Sequence, residues 1–208
     1  MRWAVLVRAA NVGGRVFRPS ELVAKLTALR LVSLGAAGTF AAGAGATAAA
    51  VRATIAAALP FPAEIMVVPA ERWHAYVGAH AVDPAPVGAG ARRYVALAAS
   101  EVVTPPRLPL HFPNETEWGV TITNIDGPFL TGWYRRVGPR VLYPNAVIEK
   151  RFKVAATTRW WETVVALDQA LQRLPASTAA GPNRRTPLRR ATTPASPAAR
   201  GRAGPRAG

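Results

Sequence analysis

Two stretches of the chain put side chains suited to chemistry close together. In the first, Arg8 and Arg15 flank a turn built on Asn11, Gly13 and Gly14. A strand ending at such a turn can aim backbone N–H groups at an anion. The guanidinium groups add planar donor forks that match phosphate or carboxylate. The plainer reading is a glycine turn that needs positive φ, with Asn11 bonding its own local backbone. In the second stretch, Thr157, Thr158 and Arg159 stand at the expected first turn of a helix, where free N–H groups favour anions. The plainer reading makes Thr158 the N-cap, sets Glu162 against the helix dipole and packs Trp160 and Trp161. Lys150, Arg151 and Lys153 come just before, as a basic patch or a solvated face. Trp133-Tyr134-Arg135-Arg136 interleaves rings with charge, as base-stacking surfaces do, or closes a hairpin against the core.

Other chemistry is missing from the inventory. The chain has no cysteine, so disulfides, thiolate zinc sites, iron–sulfur clusters and thiol nucleophiles are excluded. Its three histidines are His74, His80 and His111, and no H-E-x-x-H pattern accompanies them. No G-x-S-x-G, G-x-x-x-x-G-K-[ST] or G-x-G-x-x-G occurs either. Neither a metal nor a cofactor is expected.

The elements that must position these residues can be read from hydrophobic patterning. Trp3 to Val7 is a buried strand. Ser20 is the expected cap of a helix to about Arg30, with Leu22, Leu26 and Leu29 in one stripe. Leu31 to Leu34 reads as a strand, and the Gly/Ala-rich Gly35 to Gly45 fits no single state. Thr47 caps a helix carrying Val51, Ile55 and Leu59, which Pro60 and Pro62 end. Glu64 to Val68 is a strand and Ala70 to Ala79 a helix. This β-α-β-(β)-α-β order is that of a split βαβ, ferredoxin-like unit.

Residues 81–92 read as a loop or linker. A second set then begins with a strand at Tyr94 to Ala98. Pro105, Pro106, Pro109 and Pro113 break any element in the next segment. Trp118, Val120 and Ile122 alternate with threonines as a half-buried strand, and Asn124 to Pro128 is the turn into a hairpin partner at Phe129 to Tyr134. Asn145 to Phe152 is a short helix; a longer one carries Trp160, Val164, Leu167, Leu171 and Leu174. The expected domains are an α+β half over 1–80, a second half of the same compact domain over 81–174, and a tail over 175–208.

The two stretches also carry a resemblance. Ala4-Val5-Leu6-Val7-Arg8-Ala9-Ala10-Asn11-Val12-Gly13-Gly14 resembles an opening signature ALLRGINVGG. Val147 to Phe152, followed by Val154 to Thr163, resembles a closing signature LLERxLGVPATTRNWNT. In this order and at this separation they resemble the bacterial family of domain of unknown function 1697, over about residues 1–174. The resemblance implies an α+β fold of two ferredoxin-like halves and no assigned activity. Two features depart from it. Gly38 to Gly43 lacks the family's Ser-Gly-Asn, and Trp160 replaces the asparagine of the closing R-N-W.

These readings converge on a soluble cytoplasmic protein that binds an anionic ligand: a nucleotide, a nucleic acid or a phosphorylated metabolite. The expected site is Arg8, Asn11, Gly13, Gly14, Arg15, Thr157, Thr158 and Arg159. The two signatures should meet around one anion-sized gap, filled by a ligand or by a carboxylate such as Glu149 or Glu162. In the ligand case, substituting either arginine costs little stability. One alternative is an enzyme with Glu149, Glu162 or His111 as general base. Another is a scaffold or oligomerisation domain whose signatures are structural. No membrane partner is expected, because no apolar run approaches the roughly 20 residues that span a bilayer.

The net charge of +15 is unevenly placed. Pro175 to Gly208 carries seven arginines, no acid and one large aliphatic residue, Leu188. Such a segment cannot offset its chain entropy by burial, so disorder is expected. Truncation after Leu174 should leave the melting temperature nearly unchanged, and a large drop would show that the tail packs. Any nucleic-acid binding should be mainly electrostatic and carried by this tail, fall steeply from low to physiological salt, and largely vanish on truncation.

Overall fold

The computed structural model describes residues 1–8, 17–82, 90–139 and 141–175. Most of the glycine turn after Arg8, the middle of the expected linker and nearly all of the basic tail lie outside these residues.

Strand β1 (Trp3–Val7) is buried at every position, because both of its faces are covered. Antiparallel partners flank it, β3 (Thr39–Ala42) on one side and β4 (Ile65–Pro69) on the other. β2 (Leu31–Ser33) pairs with β3, giving the order β2-β3-β1-β4. The Gly/Ala-rich stretch thus contains a strand, entered through left-handed turns at Gly35 and Gly38 that suit glycine. Trp3, Val5 and Val7 face helices α1 (Pro19–Lys25) and α2 (Ala48–Ala58). Ala4 and Leu6 face the opposite way, into the middle of the molecule. The Thr47 hydroxyl accepts from Ala50 N–H at 3.1 Å, as its sequence position implies. Ser20 is not a cap: Pro19 occupies the first turn, a position its missing N–H suits, and Arg18 stands at the cap. The first helix is also shorter than its leucine stripe suggests. It stops at Lys25, a 3-10 turn covers Thr27–Leu29, and Arg30 adopts φ 49°.

The second sheet contains β5 (Arg92–Ala98), β6 (Leu110–Phe112), β7 (Val120–Ile122), β8 (Asn124–Asp126), β9 (Phe129–Tyr134) and β10 (Ala156–Trp160). Its order is β10-β5-β9-β7-β6, with β8 also on β9. The segment expected as a turn is therefore mostly strand, and the reversal is confined to Gly127 (φ 56°) and Pro128. Both sheets place four strands alike, β4-β1-β3-β2 in one and β10-β5-β9-β7 in the other. Corresponding backbone bonds recur: Val7 N–H to Gly38 O matches Ala98 N–H to Pro128 O, and Arg8 N–H to Glu64 O matches Ala99 N–H to Ala155 O. The first crossover differs. The proline-rich path from β5 to β7 holds only β6, where the first half has α1.

Helices α3 (Ala70–Ala79) and α5 (Trp161–Arg173) lie between the sheets. Trp73, Tyr76 and Val77 of α3 join Val164, Leu167 and Leu171 of α5, together with side chains from β1, β4, β5 and β9. A fully buried leucine here contributes about 2 kcal/mol. Helix α4 (Pro144–Phe152) covers the far face of the second sheet through Ile148. Arg2 donates to the carbonyls of Leu171 (2.9 Å) and Leu174 (3.2 Å), closing the C-terminal end of α5. The described residues all fall within one compact unit.

The tightest steric constraint is at Gly132 on β9. Tyr94 lies opposite it, and the Tyr94 hydroxyl passes it to donate to the Thr121 carbonyl at 2.7 Å. A Cβ at Gly132 would collide with that carbonyl. Gly132→Ala should therefore cost about 3 kcal/mol in urea unfolding. A near-neutral result would show that β7 and β9 can move apart.

Candidate anion-binding site

Strand β10 organises this corner of the molecule. Its Thr-Thr-Arg-Trp run looked like the start of a helix, yet it pairs with β5 from Ala156↔Ala98 to Trp160↔Tyr94. The helix begins only at Trp161, and Thr158 is not its cap: Trp160 holds that position and offers no side-chain cap. β-Branched threonines favour the pleated surface, and β5 supplies partners that a local reading cannot see.

Arg159 is 8% exposed. Its Nε donates to the Thr39 hydroxyl at 2.5 Å. Nη1 donates to the Thr157 hydroxyl and the Thr158 carbonyl, both at 2.8 Å. Nη2 reaches the carbonyls of Ala37 (2.6 Å), Val7 (3.2 Å) and Gly38 (3.4 Å). All of these acceptors are neutral. Burial, with no carboxylate among the described residues to oppose it, lowers the Arg159 pKa to about 10.

The other arginine is paired. Arg8 grips Glu149 of α4 with both arms, Nε to Oε1 at 2.8 Å and Nη2 to Oε2 at 3.0 Å. Glu149 Oε1 also accepts the Ala156 N–H at 3.0 Å. The Arg8 hydrogen bond is the main cause that holds the Glu149 carboxyl below its ordinary range, and the same bond raises Arg8. The two signatures therefore do meet, because Val7 accepts from Arg159 while its neighbour Arg8 pairs with Glu149. The occupant beside Arg8 is the carboxylate, and neither arginine is spare. Replacing Arg159 would strand buried acceptors, so its substitution costs stability where little cost was expected. Glu162 lies elsewhere, 3.6 Å from Arg92. Asn11, Gly13, Gly14 and Arg15 are outside the described residues.

A cavity of about 450 Å³ opens beside Arg159. Thr158, Trp160, Tyr134, Tyr143, Asn145 and Thr163 are among its walls, with the turn at residues 34–37 opposite. Buried Thr158 Oγ1 has no hydrogen-bond partner among the described residues. The first turns of α4 and α5 border the cavity through Asn145 and Thr163, and neither helix has a side-chain cap. Pattern reading did not single out Tyr143 or Asn145. The one local signal was Pro144, suited to a first helical position. Glu149, Glu162 and His111 do not line this cavity. His74 instead meets buried Asp168 at 3.1 Å, and His80 lies 3.3 Å from Asn124. In the aromatic-basic run, Arg135 donates to the Trp118 carbonyl and stacks on its ring. Among the described residues, no His, Asp and Glu cluster could hold a metal ion, and no helix is long and apolar enough to cross a membrane.

No protein-family model and no curated protein matches the chain. Among solved structures it is similar to the conserved bacterial protein SP0830 from Streptococcus pneumoniae, with a TM-score of 0.53 and 17% identity. The match covers 82% of this chain and 98% of that one. At this identity the likeness shows a shared α+β fold.

The Arg8–Glu149 pair sets a pH dependence. A carboxyl whose folded pKa is lowered stabilises the fold fully above its ordinary value of 4.5, and that contribution is lost as pH falls through the lowered value. Glu149→Gln should cost about 1–3 kcal/mol at neutral pH and flatten the loss of stability on acidification, read by urea unfolding at several pH values. An unchanged acid limb would place its cause in another group.

Proposed function

We propose that the protein binds an anionic ligand in the cavity beside β10, through a phosphate group carried by a nucleotide, a nucleic acid or a phosphorylated metabolite. The observation that carries this reading is a buried guanidinium, Arg159, without a carboxylate partner among the described residues, together with the buried hydroxyl of its neighbour Thr158, which has no hydrogen-bond partner among them. A charge in a low-dielectric interior acts strongly on its surroundings, so an anion here is attracted far more than on an open surface. Arg159 spends its N–H groups on neutral acceptors and contributes charge. The hydroxyls of Thr158 and Thr163 and the Asn145 amide supply hydrogen bonds, and the starts of α4 and α5 add positive partial charge.

The same reading takes the chain as a relative of the family of domain of unknown function 1697, with two ferredoxin-like halves. The matching strand order of the two sheets supports this; the absence of a helix between β5 and β7 makes the second half a variant. Catalysis by a carboxylate has less support, since Glu149 is spent on Arg8 and the Ala156 N–H.

Thermal shift tests the proposal with inorganic phosphate, nucleoside monophosphates, short oligonucleotides and sugar phosphates. A bound anion raises the melting temperature in proportion to how strongly it prefers the native state. Thr158→Val should keep or raise the ligand-free melting temperature, because it removes an unpaired buried hydroxyl, and weaken anion binding by about tenfold. Absence of a shift with every anion, or an equal shift in the variant, would overturn the proposal.

A further inference from the structure

We infer that the ligand of this cavity joins a planar aromatic ring to its anionic group, as a mononucleotide does. This rests on the anion site proposed above and narrows it to one ligand class. Three aromatic residues from three separate segments line the cavity: Tyr134 at the end of β9, Trp160 at the end of β10 and Tyr143 at the start of α4. Two of them are already held in place. Tyr134 and Trp160 have ring centroids 5.7 Å apart and planes tilted by 48°. The Arg92 guanidinium sits 4.2 Å from the Trp160 centroid, and Glu162 steadies it from the side. Rings fixed before binding lose little freedom when a ligand arrives.

Tyr143 is the opposite case. It is 63% exposed, one of the few large apolar side chains left in water among the described residues. Its neighbour Pro144 is buried and anchors the backbone, so the ring is presented to solvent from a fixed base. A planar group entering the cavity would cover this ring and take its apolar surface out of water. A bare phosphate or a sugar phosphate offers no such face.

The spacing of the polar and aromatic ends fits the same class. Thr158 and Trp160 are two residues apart on one strand, so their side chains share a face about 7 Å apart. A pentose is the size of that interval, with phosphate at the Thr158 end and the ring against Trp160 and Tyr143. The volume of about 450 Å³ lies within the range of small-molecule sites. A cavity of this size suits a single nucleotide better than a continuous strand.

Calorimetric titration of the full chain separates this inference from the anion site itself. The probes are the four ribonucleoside 5′-monophosphates, ribose 5-phosphate and adenosine. At least one monophosphate should bind about tenfold or more tightly than ribose 5-phosphate and quench tryptophan fluorescence, since stacking on an aromatic side chain is worth that much. Tyr143→Ala should reduce that nucleotide to the level of ribose 5-phosphate and leave ribose 5-phosphate unchanged, while Tyr143→Phe retains the preference. Equal binding of ribose 5-phosphate and all four nucleotides would overturn the aromatic inference and leave the anion site standing. A Tyr143→Ala variant that weakens both probes alike would overturn it in the same way. Failure of every phosphate to bind would remove the anion site and this inference together.

Discussion

A guanidinium taken out of water must find an acceptor for each of its N–H groups, and Arg159 finds them on three segments that are far apart in sequence. Thr39, Ala37 and Gly38 come from the entry to β3, Val7 from the end of β1, and Thr157 and Thr158 from β10 itself. Such a group cannot be satisfied until both halves are in place. It therefore specifies their relative position in a way that apolar contact, which is tolerant of small shifts, does not. The Arg8–Glu149 pair repeats this link one residue further along, tying the end of β1 to α4.

The outer edge of β10 is where these demands converge. Edge strands expose unpaired backbone groups and invite unwanted pairing. Here that edge is occupied by side chains of its own protein, with Glu149 on the Ala156 N–H and Arg159 on the Thr158 carbonyl. Beyond them the edge gives way to the cavity, where the Thr158 hydroxyl is left over. The protein thus covers part of a vulnerable edge with its own side chains.

Much of the scaffold was legible because its signals are local. The uninterrupted apolar run of Trp3 to Val7, the helix of Ala70 to Ala79 and the hairpin strand Phe129 to Tyr134 all take the forms that the sequence predicts. Errors arose where a distant partner decided the outcome. Thr158 has the side chain of a helix cap, but pairing with β5 extends the strand past it. Thr39 to Ala42 is too small and too uniform to show an alternation, yet β1 and β2 recruit it as a strand. At the site, Arg8, Thr157, Thr158 and Arg159 stood out by residue type. Tyr143 and Asn145 did not, because only the path from β9 into α4 brings them to β10. Which carboxylate answers which arginine was equally invisible, since Glu149 and Glu162 differ little in local sequence.

The placement of α3 and α5 has a consequence for how the molecule can be divided. Each is the closing helix of its own half, but its apolar face is buried jointly by both sheets. A fragment ending after α3 would leave Trp73, Tyr76 and Val77 partly uncovered, and a fragment beginning at β5 would do the same to Val164, Leu167 and Leu171. Neither piece is an autonomous folding unit in the usual sense. The two halves share one core as the protomers of an obligate heterodimer do, so cutting between α3 and β5 would turn folding into an association whose yield depends on concentration.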